Sequence, residues 1–177
     1  MARRHENVVN VDEAEAFSPP GEKPPAFAAT AKRLGAQAGA KGIGCGHFRV
    51  PAGKTGVPLH AHHVNEEAMF ILDGEGTLRL GTERILVRAG DWIALPPGEA
   101  HAHQLLADRG VEIAYLCMST MTPADIVTYP DSKKLLAAVG GFGQTSLRKM
   151  FWQKDGDVPY FAGEDGPPAG KPDSTKS

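Results

Sequence analysis

The residues of this chain that could do chemistry lie in two short stretches. His60-Ala61-His62 sets two imidazoles two positions apart. Side chains on a strand repeat every second residue, so both rings share one face and can reach one ion. Five positions on stands Glu67, opening the apolar run to Leu72. That odd spacing means that strand phase alone does not align Glu67 with His62, so His63-Val64-Asn65-Glu66 must turn, and His63 itself reads as a loop residue. Farther on, Pro96-Pro97-Gly98-Glu99-Ala100-His101 delivers a third imidazole directly after a tight turn. Three neutral imidazoles and one carboxylate suit a divalent Fe, Mn, Ni, Cu or Zn ion and leave room for water or substrate. The plainer alternative is a set of polar residues in surface turns.

These stretches resemble the two motifs of the cupin superfamily. In the first, Gly-x5-His-x-His-x(3,4)-Glu-x6-Gly, the chain supplies His60, His62, Glu67 and Gly74, with Lys54 where the leading Gly is expected and Gly53 and Gly56 on either side. The second, Gly-x5-Pro-x-Gly-x2-His-x3-Asn, reads Gly90, Pro96, Gly98 and His101, then Leu105 in place of the final Asn. By this resemblance the metal ligands are His60, His62, Glu67 and His101, holding Fe, Mn, Ni or Zn. Glu66 is the rival to Glu67, but only Glu67 leaves six residues before Gly74. The match runs over residues 44–118 and implies a small antiparallel jelly-roll barrel, a double-stranded β-helix, with the metal among inward-facing side chains.

Around these residues several readings stay open. His103 follows His101 by two positions, so on a regular strand it faces the same interior, where it is expected either as a catalytic proton carrier or as a histidine at the barrel mouth. Cys45, His47 and Arg49 share one strand face. If that face looks inward, His47 and Arg49 orient an anionic or carbonyl-bearing substrate; if outward, they are solvated edge residues. Tyr115 is either a pocket hydroxyl or a packed core aromatic, and Met69 and Leu105 are candidates for an apolar pocket wall.

The elements that must position these residues are short strands. The chain has 177 residues, with 21 Gly and 14 Pro, about a fifth of the total, which suits tight turns better than long helices. Strand patterns run over Gly46–Val50, Ala68–Leu72, Thr77–Leu80, Arg84–Arg88, Asp91–Leu95, Gln104–Ala107 and Glu112–Met118, separated by turn residues such as Asp73-Gly74-Glu75-Gly76 and Pro96-Pro97-Gly98. The fold class is therefore all-β, with residues 1–35 as an N-terminal arm and 36–128 as the barrel. Residues 129–162 form a C-terminal extension packing on it, and 163–177 a disordered tail rich in Gly, Pro and charge. Within the extension, Asp131-Ser132 reads as the cap of a short helix over Lys133–Val139, ended by Gly140-Gly141, and Lys149–Trp152 as a last strand or an interface patch.

Composition excludes some functions. Nineteen Lys and Arg against 21 Asp and Glu give a net charge of −2, which offers no basic field to nucleic acid or an anionic membrane. Nothing approaches an apolar span of about 20 residues, and the charged start does not read as a signal peptide, so the expectation is a cytoplasmic protein. Cys45 and Cys117, 72 residues apart, read as reduced, packed thiols. Met69 and Ile71 are apolar on one face of their strand and Ala68, Phe70 and Leu72 on the other, so the outside of the sheet needs a cover, and a homodimer is expected, with Phe151 and Trp152 as contributors. The resemblance implies a metal-dependent protein acting on a small molecule, foremost an oxidoreductase of dioxygenase type. Its rivals are an isomerase of sugars, a decarboxylase, and a sensory module that binds without turnover.

Overall fold

The computed structural model describes residues 5–17, 23–140 and 146–153. Thirteen strands occur among them: β1 (Ala16–Phe17), β2 (Thr30–Lys32), β3 (Ile43–Val50), β4 (Ala61–His62), β5 (Glu67–Asp73), β6 (Glu75–Leu80), β7 (Glu83–Arg88), β8 (Trp92–Leu95), β9 (His103–Ala107), β10 (Ile113–Thr120), β11 (Ala124–Tyr129), β12 (Lys134–Val139) and β13 (Leu147–Trp152). They pair antiparallel in three sheets, with orders β1-β2-β3-β10-β5-β8, β13-β12-β11-β4 and β7-β6-β9. Each strand pattern read in the sequence between Gly46 and Met118 corresponds to one of these strands, within a few residues at its ends. Helical structure among the described residues is confined to one turn at Leu34–Gln37 and a 3-10 turn at Glu99–His101. No helix among them is long and apolar enough to cross a membrane.

Period-2 burial builds the core. Val50, Met69, Ile71, Ile93, Leu95, Ile113 and Tyr115 from the six-stranded sheet meet Leu78, Val87, Leu105 and Ala107 from the three-stranded one. Ile71, Leu78, Leu95, Leu105 and Ile113 are fully buried, each contributing about 1.5–3 kcal/mol relative to exposure. The sharp β5–β6 connection depends on Gly74, whose φ of 78° lies in the left-handed region and where a Cβ would meet the Glu112 carbonyl oxygen at 2.1 Å. Cys45 and Cys117 are free thiols, and burial pushes both pKa values up, keeping them protonated and inert.

The C-terminal extension differs from expectation. Lys134–Val139 is not a helix but the strand β12, paired along its length with β11 on one side and β13 on the other. Asp131 and Ser132 lie in the turn between β11 and β12, where Lys133 takes a φ of 50°, and the Asp131 carboxylate accepts from Arg79 at 2.8 Å and 3.1 Å. The same residue types that cap helices also make turns, and only the two flanking strands decide between them. The arm is likewise incorporated in part, since β1 pairs with β2 and β2 with the edge of β3. The tail from 163 lies outside the described residues.

Candidate metal centre

The site forms where β4, β5 and β9 meet. His60 and His103 exchange both backbone hydrogen bonds, His60 N–H to His103 O at 3.2 Å and His103 N–H to His60 O at 2.8 Å. This bridge sets their rings side by side, with centroids 4.5 Å apart. His62 follows on the same face, its ring 5.1 Å from that of His60 and 6.4 Å from that of His103. Glu67, the first residue of β5, completes the group: Oε1 lies 3.5 Å from His62 Nε2, and Oε2 lies 3.2 Å from His103 Nε2. His60, His62 and Glu67 each bring a ligand atom within 4.8 Å of the others.

Each of the three imidazoles has its Nδ1 opposite an oxygen. His60 Nδ1 donates to the Pro58 carbonyl at 2.9 Å, His62 Nδ1 to Asp125 Oδ2 at 2.5 Å, and His103 Nδ1 to the His101 carbonyl at 3.0 Å. In the neutral ring this places the proton on Nδ1 and leaves Nε2 with its lone pair. The group of His60, His62 and Glu67, with His103 Nε2 beside the carboxylate, is a donor set that fits a divalent transition metal.

The electrostatics agree. Burial, reinforced by His103, lowers the His60 pKa to about 4, so this ring is neutral and available at physiological pH. For His62, burial opposes the cation, but the hydrogen bond to Asp125 and the charge of Glu67 outweigh it and raise the pKa. Burial alone would raise Glu67; its contact with His103 and its neighbours His62 and His60 outweigh this and hold it below its ordinary value. A carboxylate kept ionised among imidazoles gives this group the charge that a candidate cation site needs.

The second motif points to His101 as a ligand; the structure brings His103, not His101, beside His60, His62 and Glu67. His101 ends the 3-10 turn Glu99–His101, its ring makes no contact with the other imidazoles, and its buried Nδ1 has no hydrogen-bond partner among the described residues. The turn uses two residues before the strand begins, so the first side chain of β9 to face the site is His103, at 2% exposure. The signal in the sequence is the one misfit of the second motif, Leu105 where Asn is expected.

The remaining pocket candidates fall into two groups. Met69, Leu105 and Tyr115 are packed core residues beneath the site, Tyr115 stacking on Phe48 at 5.1 Å. His47 and Arg49 face outward. Arg49 is exposed and ion-pairs with Glu112, while His47, beside Lys32 of β2, is buried in the sheet and its pKa lowered by burial and by the Arg49 charge. Their face is outward because the alternate residues, Phe48 and Val50, are the ones that enter the core. Reasoning from spacing missed two residues altogether. Asp125 holds His62, and Tyr129 lies over His60 with ring centroids 6.1 Å apart and planes 26° apart; both come from β11.

Residues 46–118 match the family described as Cupin domain. An uncharacterized protein of Methanocaldococcus jannaschii is 36% identical over 70 residues, 40% of this chain and 54% of that protein. The quercetin 2,3-dioxygenase of Bacillus subtilis is 34% identical over 58 residues, 33% of this chain and 17% of that enzyme. The chain thus spans about half the length of the first relative and about a sixth of the second. Among solved structures, a putative sugar phosphate isomerase from Acidithiobacillus ferrooxidans superposes with a TM-score of 0.70 at 24% identity, covering 87% of this chain and 97% of the other. A sugar phosphate isomerase of the cupin superfamily from Silicibacter pomeroyi gives 0.73 at 20% identity, covering 86% and 97%. At these identities the structural likeness is one of fold. With the antiparallel sheets, the first motif and the matched stretch in agreement, residues 46–118 are a cupin domain.

Proposed function

We propose that this chain is a metal-dependent enzyme acting on a small molecule, with dioxygenase chemistry as the leading reading. The observation that carries the metal half is the orientation of three imidazoles: His60, His62 and His103 each have Nδ1 engaged by an oxygen acceptor and Nε2 turned to the Glu67 carboxylate or to one another. His60, His62, His103 and Glu67 would hold the ion. A divalent iron, manganese or nickel bound there supplies an electrophilic centre with open positions for oxygen-bearing substrates and for one-electron chemistry with dioxygen, whereas zinc supplies the electrophile alone.

The chain's own residues do the rest. Met69, Ile71, Leu105 and Tyr115 fill the interior below the site and keep water out of it from that side. The second carboxylate oxygen of Glu67 is a base in the site, held ionised by its imidazole neighbours. With His103 among the ligands, no separate imidazole is left to carry protons, and that role passes to Glu67. Oxygen chemistry is favoured over isomerisation by the apolar interior of Met69, Ile71 and Leu105 and by the likeness to a quercetin 2,3-dioxygenase over 58 residues.

The test is oxygen uptake by protein loaded in turn with Fe(II), Mn(II) and Ni(II), over a panel of flavonols, catechols, 1,3-diketones and hydroxy acids. Substrate-dependent uptake with at least one pair is the expected result. Conversion of phosphosugars without oxygen uptake would replace the dioxygenase reading by isomerase chemistry, and saturable binding without turnover would make the chain a sensor. The proposed homodimer contact is the outer face of β5 and β8, where Leu72 is 42% and Trp92 61% exposed, and sedimentation of wild type against Trp92→Glu tests it.

A further inference from the structure

The family match ends at residue 118, yet the chain continues into β11, and β11 reaches back to the site. Asp125, 6% exposed, makes four contacts there, with His62 of β4 and with the turn that follows it toward β5. Oδ2 accepts from His62 Nδ1 at 2.5 Å and from Asn65 Nδ2 at 3.1 Å. Oδ1 accepts from the backbone N–H of Val64 at 3.0 Å and of Asn65 at 3.4 Å. Asn65 in turn accepts through Oδ1 from the N–H and the hydroxyl of Thr122, at 3.0 Å and 2.6 Å, which ties the same segment to the start of β11. His62 itself pairs with Val127 of β11.

His60 and His103 rest their Nδ1 atoms on carbonyls two residues away in their own segments, whereas His62 rests on a carboxylate 63 residues distant. A carboxylate opposite Nδ1–H fixes the tautomer and ring plane more firmly than a carbonyl does, and it makes Nε2 the stronger donor. We propose that Asp125 is a positioning residue of the metal centre: its carboxylate fixes His62 with Nε2 toward the ion, so that the C-terminal hairpin, beyond the matched domain, sets the metal affinity. This rests on the metal reading above.

The experiment uses the full chain and Zn2+ as a diamagnetic probe. Asp125→Asn is close in shape and keeps Oδ1 as an acceptor for Val64 and Asn65, but it puts an amide NH2 opposite His62 Nδ1. Asn65→Ala is the control, since it loosens the segment while leaving the bond between His62 and Asp125. Zn2+ affinity is measured by chelator competition, and the Nδ1–H proton of His62 is followed by NMR in the Zn2+-loaded protein. Expected are a fall in affinity of about 10–100-fold for Asp125→Asn with loss of the protected Nδ1–H resonance, and neither change for Asn65→Ala. A lower melting temperature in Asp125→Asn with unchanged Zn2+ affinity would reduce Asp125 to a structural residue and overturn the inference. If Asp125→Asn does not fold, the wild-type spectrum decides: a protected Nδ1–H on Zn2+-loaded His62 supports the inference, and its absence overturns it. Wild type that binds no Zn2+ overturns the metal reading as well, so the two failures are distinct.

Discussion

The two sides of the site are built differently. One side, β4, β5 and β9 within residues 46–118, supplies the candidate ligands. The other, the sheet of β11, β12 and β13, adds no ligand, but it pairs with β4 and supplies Asp125 behind His62 and Tyr129 over His60. Donors on the first side must have particular chemistry at particular spacing, which a motif records. The supports on the second need only arrive from the right direction, and such residues leave no short-range pattern.

The sharpest way to break this comparison is to remove ligands singly. His103→Ala should lose metal by more than the roughly 10–100-fold typical of a supporting residue, while His101→Ala retains it. Isothermal titration of both variants checks this, and the reverse order would return the ligand role to His101. Next in size is Leu105→Ala, which should destabilise the fold by about 2–5 kcal/mol in urea unfolding, because Leu105 is 1% exposed and packed in the core. If it acts as a pocket wall only, stability will be nearly unchanged.

The pH dependence sharpens the same contrast. His60 has a folded pKa of about 4, so stability rises with pH from about 4 to its ordinary value of 6.5. The raised His62 works the other way: its contribution is fully present below 6.5 and is lost as pH climbs through the folded value. Glu67 and Asp125, both lowered, contribute above 4.5 and 3.8 respectively and lose this as pH falls through their folded values. The metal-free protein should therefore be most stable near pH 6.5. Metal binding needs His62 unprotonated, so Zn2+ should raise the melting temperature most above that pH. Melting curves from pH 4 to 9 with and without Zn2+ check both signs.

Smallest is Arg49→Ala. Arg49 and Glu112 form an exposed pair on the outer face, so the change should cost less than about 1 kcal/mol and leave turnover untouched; a large rise in KM would put Arg49 back in the pocket.

The fold was legible wherever period-2 patterning met turn residues, as from Gly46 to Met118. It was not legible at Lys134–Val139, where the cap signal of Asp131-Ser132 and the turn it makes are written in the same residues, and pairing with β11 and β13 is a non-local fact. Within the site, His60, His62 and Glu67 could be read from their spacing. His103 was displaced from expectation by a single 3-10 turn, and Asp125 carries no local mark at all, because its meaning lies 63 residues away at His62.

Anomalous diffraction from crystals grown with Zn2+ or Mn2+ tests the central claim most directly. One strong peak bounded by Nε2 of His60, His62 and His103 and by the Glu67 carboxylate is the predicted result. No peak at that point, or a peak coordinated by His101 with His103 outside its shell, would contradict the account.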